Sequence, residues 1–174
     1  PSPRDSSSTH MKATPLISSL LLSLSLQLTA LADSTVVLTG VHNCCKKCDT
    51  GITEAVAKVA GATAQTEKTK VTITAKDEAT ARQAVASLVS NGYFGQGATA
   101  PTVVDAKVKS ATVSGVHLCC GKCVTAVENA VTSVSGVTSL DATKGAKTFK
   151  VEGDFSTKEL AAALNKAGLS GDIK

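Results

Sequence analysis

Tryptophan is absent from this chain, and the aromatic residues are confined to Tyr93, Phe94, Phe149 and Phe155. A hydrophobic core must therefore be built mainly from valine, alanine, leucine and isoleucine. There is no aromatic platform and no arginine-rich stripe, and lysines and acids are interspersed to a net charge of only +4, so nucleic-acid binding finds no support. Residues arranged for hydrolysis or phosphoryl transfer are also missing, and the expectation is a binding protein rather than an enzyme. Long apolar spans are lacking too: the leucine-rich run at 16–31 contains serines and is short for a membrane span.

That run has another reading. Met11 and Lys12 give it a basic start, the leucines an apolar middle, and Ala30-Leu31-Ala32 a small-x-small end, the pattern of a secretory signal peptide. Residues 1–10 then form an upstream extension, 11–32 the signal, and the mature chain starts at Asp33. An uncut signal anchor is the alternative. No lipid-attachment cysteine follows the cleavage point, so the expected product is exported, periplasmic or secreted, and not membrane-spanning. Such a compartment permits disulfides.

All six cysteines lie in two segments that repeat each other, Gly40-Val41-His42-Asn43-Cys44-Cys45-Lys46-Lys47-Cys48 and Gly115-Val116-His117-Leu118-Cys119-Cys120-Gly121-Lys122-Cys123. The agreement extends into the apolar spacing that follows, where Ile52, Val56 and Val59 recur as Val127, Val131 and Val134. Repetition of core spacing together with cysteines predicts a duplicated domain. The expected modules are 33–97 and 109–174, joined by a linker at 98–108. Alternating strands near 35–41, 62–66 and 70–74, helices near 49–59 and 77–90 and a short strand at Tyr93 and Phe94 give the first module the order β-α-β-β-α-β. The second repeats it with strands near 109–116, 137–142 and 148–152 and helices near 124–134 and 157–166. The predicted class is α+β: two tandem ferredoxin-like modules, each a four-stranded antiparallel sheet with two helices on one face. Modules this small have thin cores, and a metal or crosslink would add stability.

The spacing C-x-x-C sets two thiols across one turn, close enough to share an ion, and a helix N-terminus beside them favours the thiolate. Lys47 and Lys122 push the same way. Thiolates select soft or borderline ions such as Cu(I), Zn(II), Hg(II) or Cd(II) and reject calcium and magnesium. His42 stands two residues before Cys44 and His117 two before Cys119; if the strand persists, each imidazole shares a face with its cysteine. They are additional donors or partly exposed loop residues, because four ligands from one short stretch rarely reach a tetrahedron.

The strand, the G-x-x-x-C-x-x-C loop, the helix with Ile/Val spacing, the glycine that ends it and the late Asn91-Gly92-Tyr93 resemble the heavy-metal-associated domain of copper chaperones and metal-transporting ATPase tails. The resemblance covers about residues 35–97 and again 109–174. It implies that Cys45 with Cys48 and Cys120 with Cys123 bind the metal, with Cu(I) favoured, and that a metal-transporting membrane protein or another metallochaperone is a partner. Cys44 and Cys119 stand where the family usually has a small hydroxyl residue, and become additional metal or redox residues. Tyr93 matches the aromatic beside the family's site; Leu169 does not. The methionine usual before the pair is replaced by Asn43 and Leu118, and His42 and His117 are outside the pattern.

Two other classes compete with a metal carrier or buffer. One is a thiol-disulfide redox protein, though the chain lacks the aromatic before the pair and the facing proline of thioredoxin-like sites. The other is an interaction module with degenerate metal sites, stabilised by disulfides. A bond between adjacent Cys44 and Cys45 would be strained, since neighbouring Cα atoms are about 3.8 Å apart and disulfides want about 4.4–6.8 Å. Pairing of Cys48 with Cys45 or Cys44 fits better.

Overall fold

A computed structural model describes residues 33–174; the expected extension at 1–10 and signal segment at 11–32 lie outside the described residues. Among the described residues, two antiparallel sheets and four helices make a mixed α+β structure. The first sheet runs in the order β1 (Ser34–Leu38), β3 (Lys70–Ala75), β2 (Ala62–Glu67), with α1 (Lys46–Ala57) and α2 (Glu78–Ser90) packed on it and on each other. Alternation in β3 sends Val71 and Ile73 into the core, where both are fully buried. Each such side chain contributes roughly 1.5–3 kcal/mol by leaving water.

The second sheet has the order β5 (Val137–Leu140), β6 (Thr148–Ser156), β4 (Lys107–Ser114), β7 (Asp172–Ile173), and carries α3 (Gly121–Thr132) and α4 (Thr157–Lys166). This half has the complete β-α-β-β-α-β order. Phe149 and Phe155 are buried in it.

The first sheet has three strands, not the expected four. After α2 the backbone turns to the other half: Tyr93 bridges Leu169, and the Phe94 N–H donates to the Gly168 carbonyl at 3.0 Å. The chain rejoins β1 only at the isolated bridge between Thr39 and Gln96. In the second half, Ser114 with Asp172 and Val113 with Ile173 continue as a short strand pair. The tail of α2 thus gives its backbone hydrogen bonds to the tail of α4.

Capping explains the helix boundaries. Asp77 accepts from the Thr80 N–H at 2.6 Å and Ser156 from the Glu159 N–H at 3.2 Å, so α2 and α4 begin where side-chain caps put them. α1 and α3 start earlier than expected, at Lys46 and Gly121, on the extended N-caps Cys45 and Cys120, neither of which makes a side-chain cap bond. The last cysteine of each loop is therefore helical and opens the buried stripe. In α1 the stripe is Cys48, Ile52, Ala55 and Val56; in α3 it is Cys123, Val127, Ala130 and Val131.

Two glycines dock the halves. Gly92 and Gly168 follow α2 and α4 with φ of 92° and 80°, a region that favours glycine. A β-carbon on Gly92 would strike the backbone of Gly115 and His117, and one on Gly168 the backbone of Gly40 and His42. Each half thus lays the end of its second helix against the cysteine loop of the other. Ser170 N–H donates to the Gly92 carbonyl at 3.1 Å, reciprocating the Phe94 bond, and His42 N–H donates to Gly168 at 3.0 Å. This exchange brings the loops face to face.

Candidate metal centre

The facing loops put all six thiols in one cluster. Within the first loop Cys48 Sγ lies 3.7 Å from Cys44 and 3.8 Å from Cys45; within the second, Cys123 Sγ is 3.7 Å from both Cys119 and Cys120. Separations across the loops are the same: Cys44 to Cys120 3.6 Å, Cys44 to Cys123 3.7 Å, Cys45 to Cys119 3.8 Å, Cys45 to Cys120 3.9 Å, and Cys48 to Cys119 and Cys123 3.6 Å each. All six are free thiols, spaced well beyond the S–S bond of about 2.05 Å. Cys48 and Cys123 are fully buried by their place on the helical stripes, and the other four are half-buried.

The loops sort their thiols by acidity. Cys120 is drawn down to about 6, first by the Cys123 backbone N–H at the start of α3 and then by neighbouring sulfurs and the Lys122 N–H, against the opposing effect of burial. Cys45 is lowered in the same way, chiefly by the Cys48 N–H. Burial is the main cause that pushes Cys119 up to about 12 and raises Cys44 and Cys123 as well. The side chains of Lys47 and Lys122 are exposed; the backbone N–H groups of these residues, not their ammonium groups, contribute to the lowering of Cys45 and Cys120.

The two loop histidines, equivalent in the repeat, have different surroundings. His42 joins Cys44, Cys48 and Cys123 in a group whose donor atoms lie within 4.8 Å of one another. Its buried Nε2 has no hydrogen-bond partner, and burial lowers its pKa, which favours the neutral, ligating form. His117 stands outside every such group. Its ring packs on Tyr93, with centroids 4.7 Å apart and planes inclined by 30°, and its Nε2 is also buried without a partner. Tyr93 is 1% exposed and donates its hydroxyl to the Cys48 carbonyl at 3.2 Å, so it braces the first turn of α1 rather than offering a donor.

Three further thiol groups satisfy the same proximity: Cys44 with Cys45 and Cys120, Cys45 with Cys48 and Cys119, and Cys119 with Cys120 and Cys123. Three of the four groups draw on both loops. Spacing within each repeat describes the two loops separately and does not predict their convergence. Its signal was the pair Gly92 and Gly168, equivalent in the two repeats and followed by Tyr93 in one and Leu169 in the other. No helix among the described residues is long and apolar enough to cross a membrane.

Comparison with known proteins matches one family over part of the chain. No curated protein matches the chain. Solved structures similar to it include two from one organism. The N-terminal soluble domains of Bacillus subtilis CopA are 17% identical, over 82% of this chain and 95% of that one, at a TM-score of 0.32. The water-soluble region of the P-type ATPase CopA from Bacillus subtilis is 17% identical, over 82% and 92%, at 0.31. Residues 111–170, which span most of the second sheet with α3 and α4, match the heavy-metal-associated domain.

Proposed function

We infer that the chain is a carrier or buffer for soft heavy-metal ions, Cu(I) first among them, with Zn(II), Hg(II) and Cd(II) as the alternatives. The observation that carries this reading is the convergence of six free thiols, ten pairs of them at 3.6–3.9 Å, with Cys45 and Cys120, both lowered in pKa, at helix N-termini. Thiolates at this spacing suit soft ions and have no use for hard ones. The match at 111–170 supports heavy-metal chemistry for the second half. The repeated loop and the shared β-α-β-β-α order support reading the first half as a second, tandem copy with its own C-x-x-C.

In this reading the chain binds and passes on its cargo rather than catalysing a reaction. The segment at 11–32 supports export, with a metal-transporting membrane protein or another metallochaperone as donor or acceptor. The acidic Cys120, with sulfurs on several sides, favours thiol exchange as the second reading. Metal analysis of protein purified and kept reduced separates the two. Bound soft metal that blocks thiol alkylation supports the carrier; metal-free protein whose thiols cycle with a disulfide donor supports the redox protein.

A further inference from the structure

The four thiol groups have a property that no single C-x-x-C pair has. Each sulfur belongs to two of them: Cys44 to the groups completed by Cys48 and Cys123 and by Cys45 and Cys120, and the remaining five likewise. Any two groups share one sulfur and no more. Ten sulfur pairs lie at 3.6–3.9 Å, and the Cys44–Cys45 and Cys119–Cys120 pairs lie within 4.8 Å. These are the edges of an octahedron whose opposite corners are Cys44 and Cys119, Cys45 and Cys123, and Cys48 and Cys120. The four groups are its alternate faces.

We propose that the six thiols hold four Cu(I) ions as one thiolate-bridged cluster, one ion on each alternate face and each sulfur bridging two ions, built jointly by the two loops. The proposal rests on the soft-metal reading above and makes it specific. An ion at the centre of the Cys44–Cys48–Cys123 or Cys45–Cys48–Cys119 face, whose edges are all 3.6–3.8 Å, lies about 2.1–2.2 Å from each sulfur, and on the other two faces, each with one edge within 4.8 Å, at most about 2.4 Å, bond lengths near the roughly 2.3 Å of zinc thiolates. Three-coordination suits monovalent copper and leaves zinc short of its tetrahedron. Any four corners of the octahedron include an opposite pair, so no four thiols form a compact tetrahedron. Among the described residues the one four-donor group is His42 with Cys44, Cys48 and Cys123. Zinc therefore binds once, through His42, whereas copper fills four faces.

The charge balance also fits. Six thiols give their protons to solvent as four Cu(I) ions enter, with no electron transferred, and the cluster carries two negative charges. Those charges sit at the N-termini of α1 and α3, the positive ends of two helices, with Lys46, Lys47 and Lys122 exposed around them.

The test is anaerobic titration of the reduced full chain with Cu(I), followed by native mass spectrometry and copper X-ray absorption. The expected result is a monomer carrying four copper ions, populated ahead of forms with one to three, with copper–copper scattering. Cys44→Ser should lose most of the four-copper form, although its serine occupies a half-buried position and the fold is checked by circular dichroism. Cys119→Ser, in the other loop, should do the same. Saturation at one or two ions per chain without copper–copper scattering would overturn the cluster while leaving the soft-metal carrier intact. No Cu(I) binding at all would overturn both. A four-copper species found only in dimers, or variants that each lose a single ion, would place the metal in independent sites and also end the proposal.

Discussion

Cys44 touches three other sulfurs, those of Cys48, Cys120 and Cys123, as many as Cys45 does. Spacing alone ranks it below the C-x-x-C pair; the facing loop makes it an equal donor. Cys44→Ser is therefore expected to weaken Cu(I) retention as much as Cys48→Ser, measured by competition with a chelator at fixed pH. Retention like that of the parent would restrict the first site to Cys45 and Cys48. Tyr93→Phe removes the hydroxyl that donates to the Cys48 carbonyl and should cost about 0.5–1.5 kcal/mol, read from the urea midpoint of the metal-free protein. An unchanged midpoint would mean that the bond braces nothing. The residues that could hold metal were legible because their types and spacing limit the chemistry. The difference between His42 and His117 was not, since both occupy the same place in the repeat and the ring on which His117 packs, Tyr93, belongs to the other half.

At the scale of elements, the first turns of α1 and α3 set the thiol acidities. Cys120 has a folded pKa of about 6 against an ordinary 9.0, so its stabilising contribution is present above about 9 and is lost as pH falls from about 9 to about 6. Cys119, raised to about 12, acts in the opposite sense: its contribution is present below about 9 and is lost as pH rises toward 12. The reduced, metal-free protein should lose more stability between pH 9 and pH 6 than its Cys120→Ser variant does, in urea titrations at both values. Parallel losses would place the acidity elsewhere. The helices expected near 77–90 and 157–166 are found at those positions, where Asp77 and Ser156 supply ordinary caps. α1 and α3 start earlier than their spacing predicts because cysteine is not a usual cap, and Asp49 and Thr50, which are, sit one turn inside α1. The missing fourth strand escaped for a similar reason: Tyr93 and Phe94 have strand-forming side chains, but their partners lie seventy-odd residues away beside Gly168.

Over the whole molecule, the site exists because the halves dock through Gly92 and Gly168. Gly92→Ala would place a β-carbon against the opposite loop at a positive φ, and should destabilise the protein by roughly 1–3 kcal/mol. It should also weaken metal binding without removing a ligand; full binding in a stably folded variant would show that the loops need not meet. This docking was the least legible feature, since periodicity describes each half and neither half's pattern announces the other. Oxidation opposes loading, because ligation and disulfide formation draw on the same thiolates. The most direct test is the melting temperature of the strictly reduced protein with and without Cu(I), at free metal about 100–1,000 times its dissociation constant. Linkage then predicts a gain of about 3–4 kcal/mol, a rise of roughly 6–16 °C for a protein of this size, absent after disulfide oxidation. Equal melting temperatures with and without Cu(I) would contradict the claim that these thiols bind soft metal.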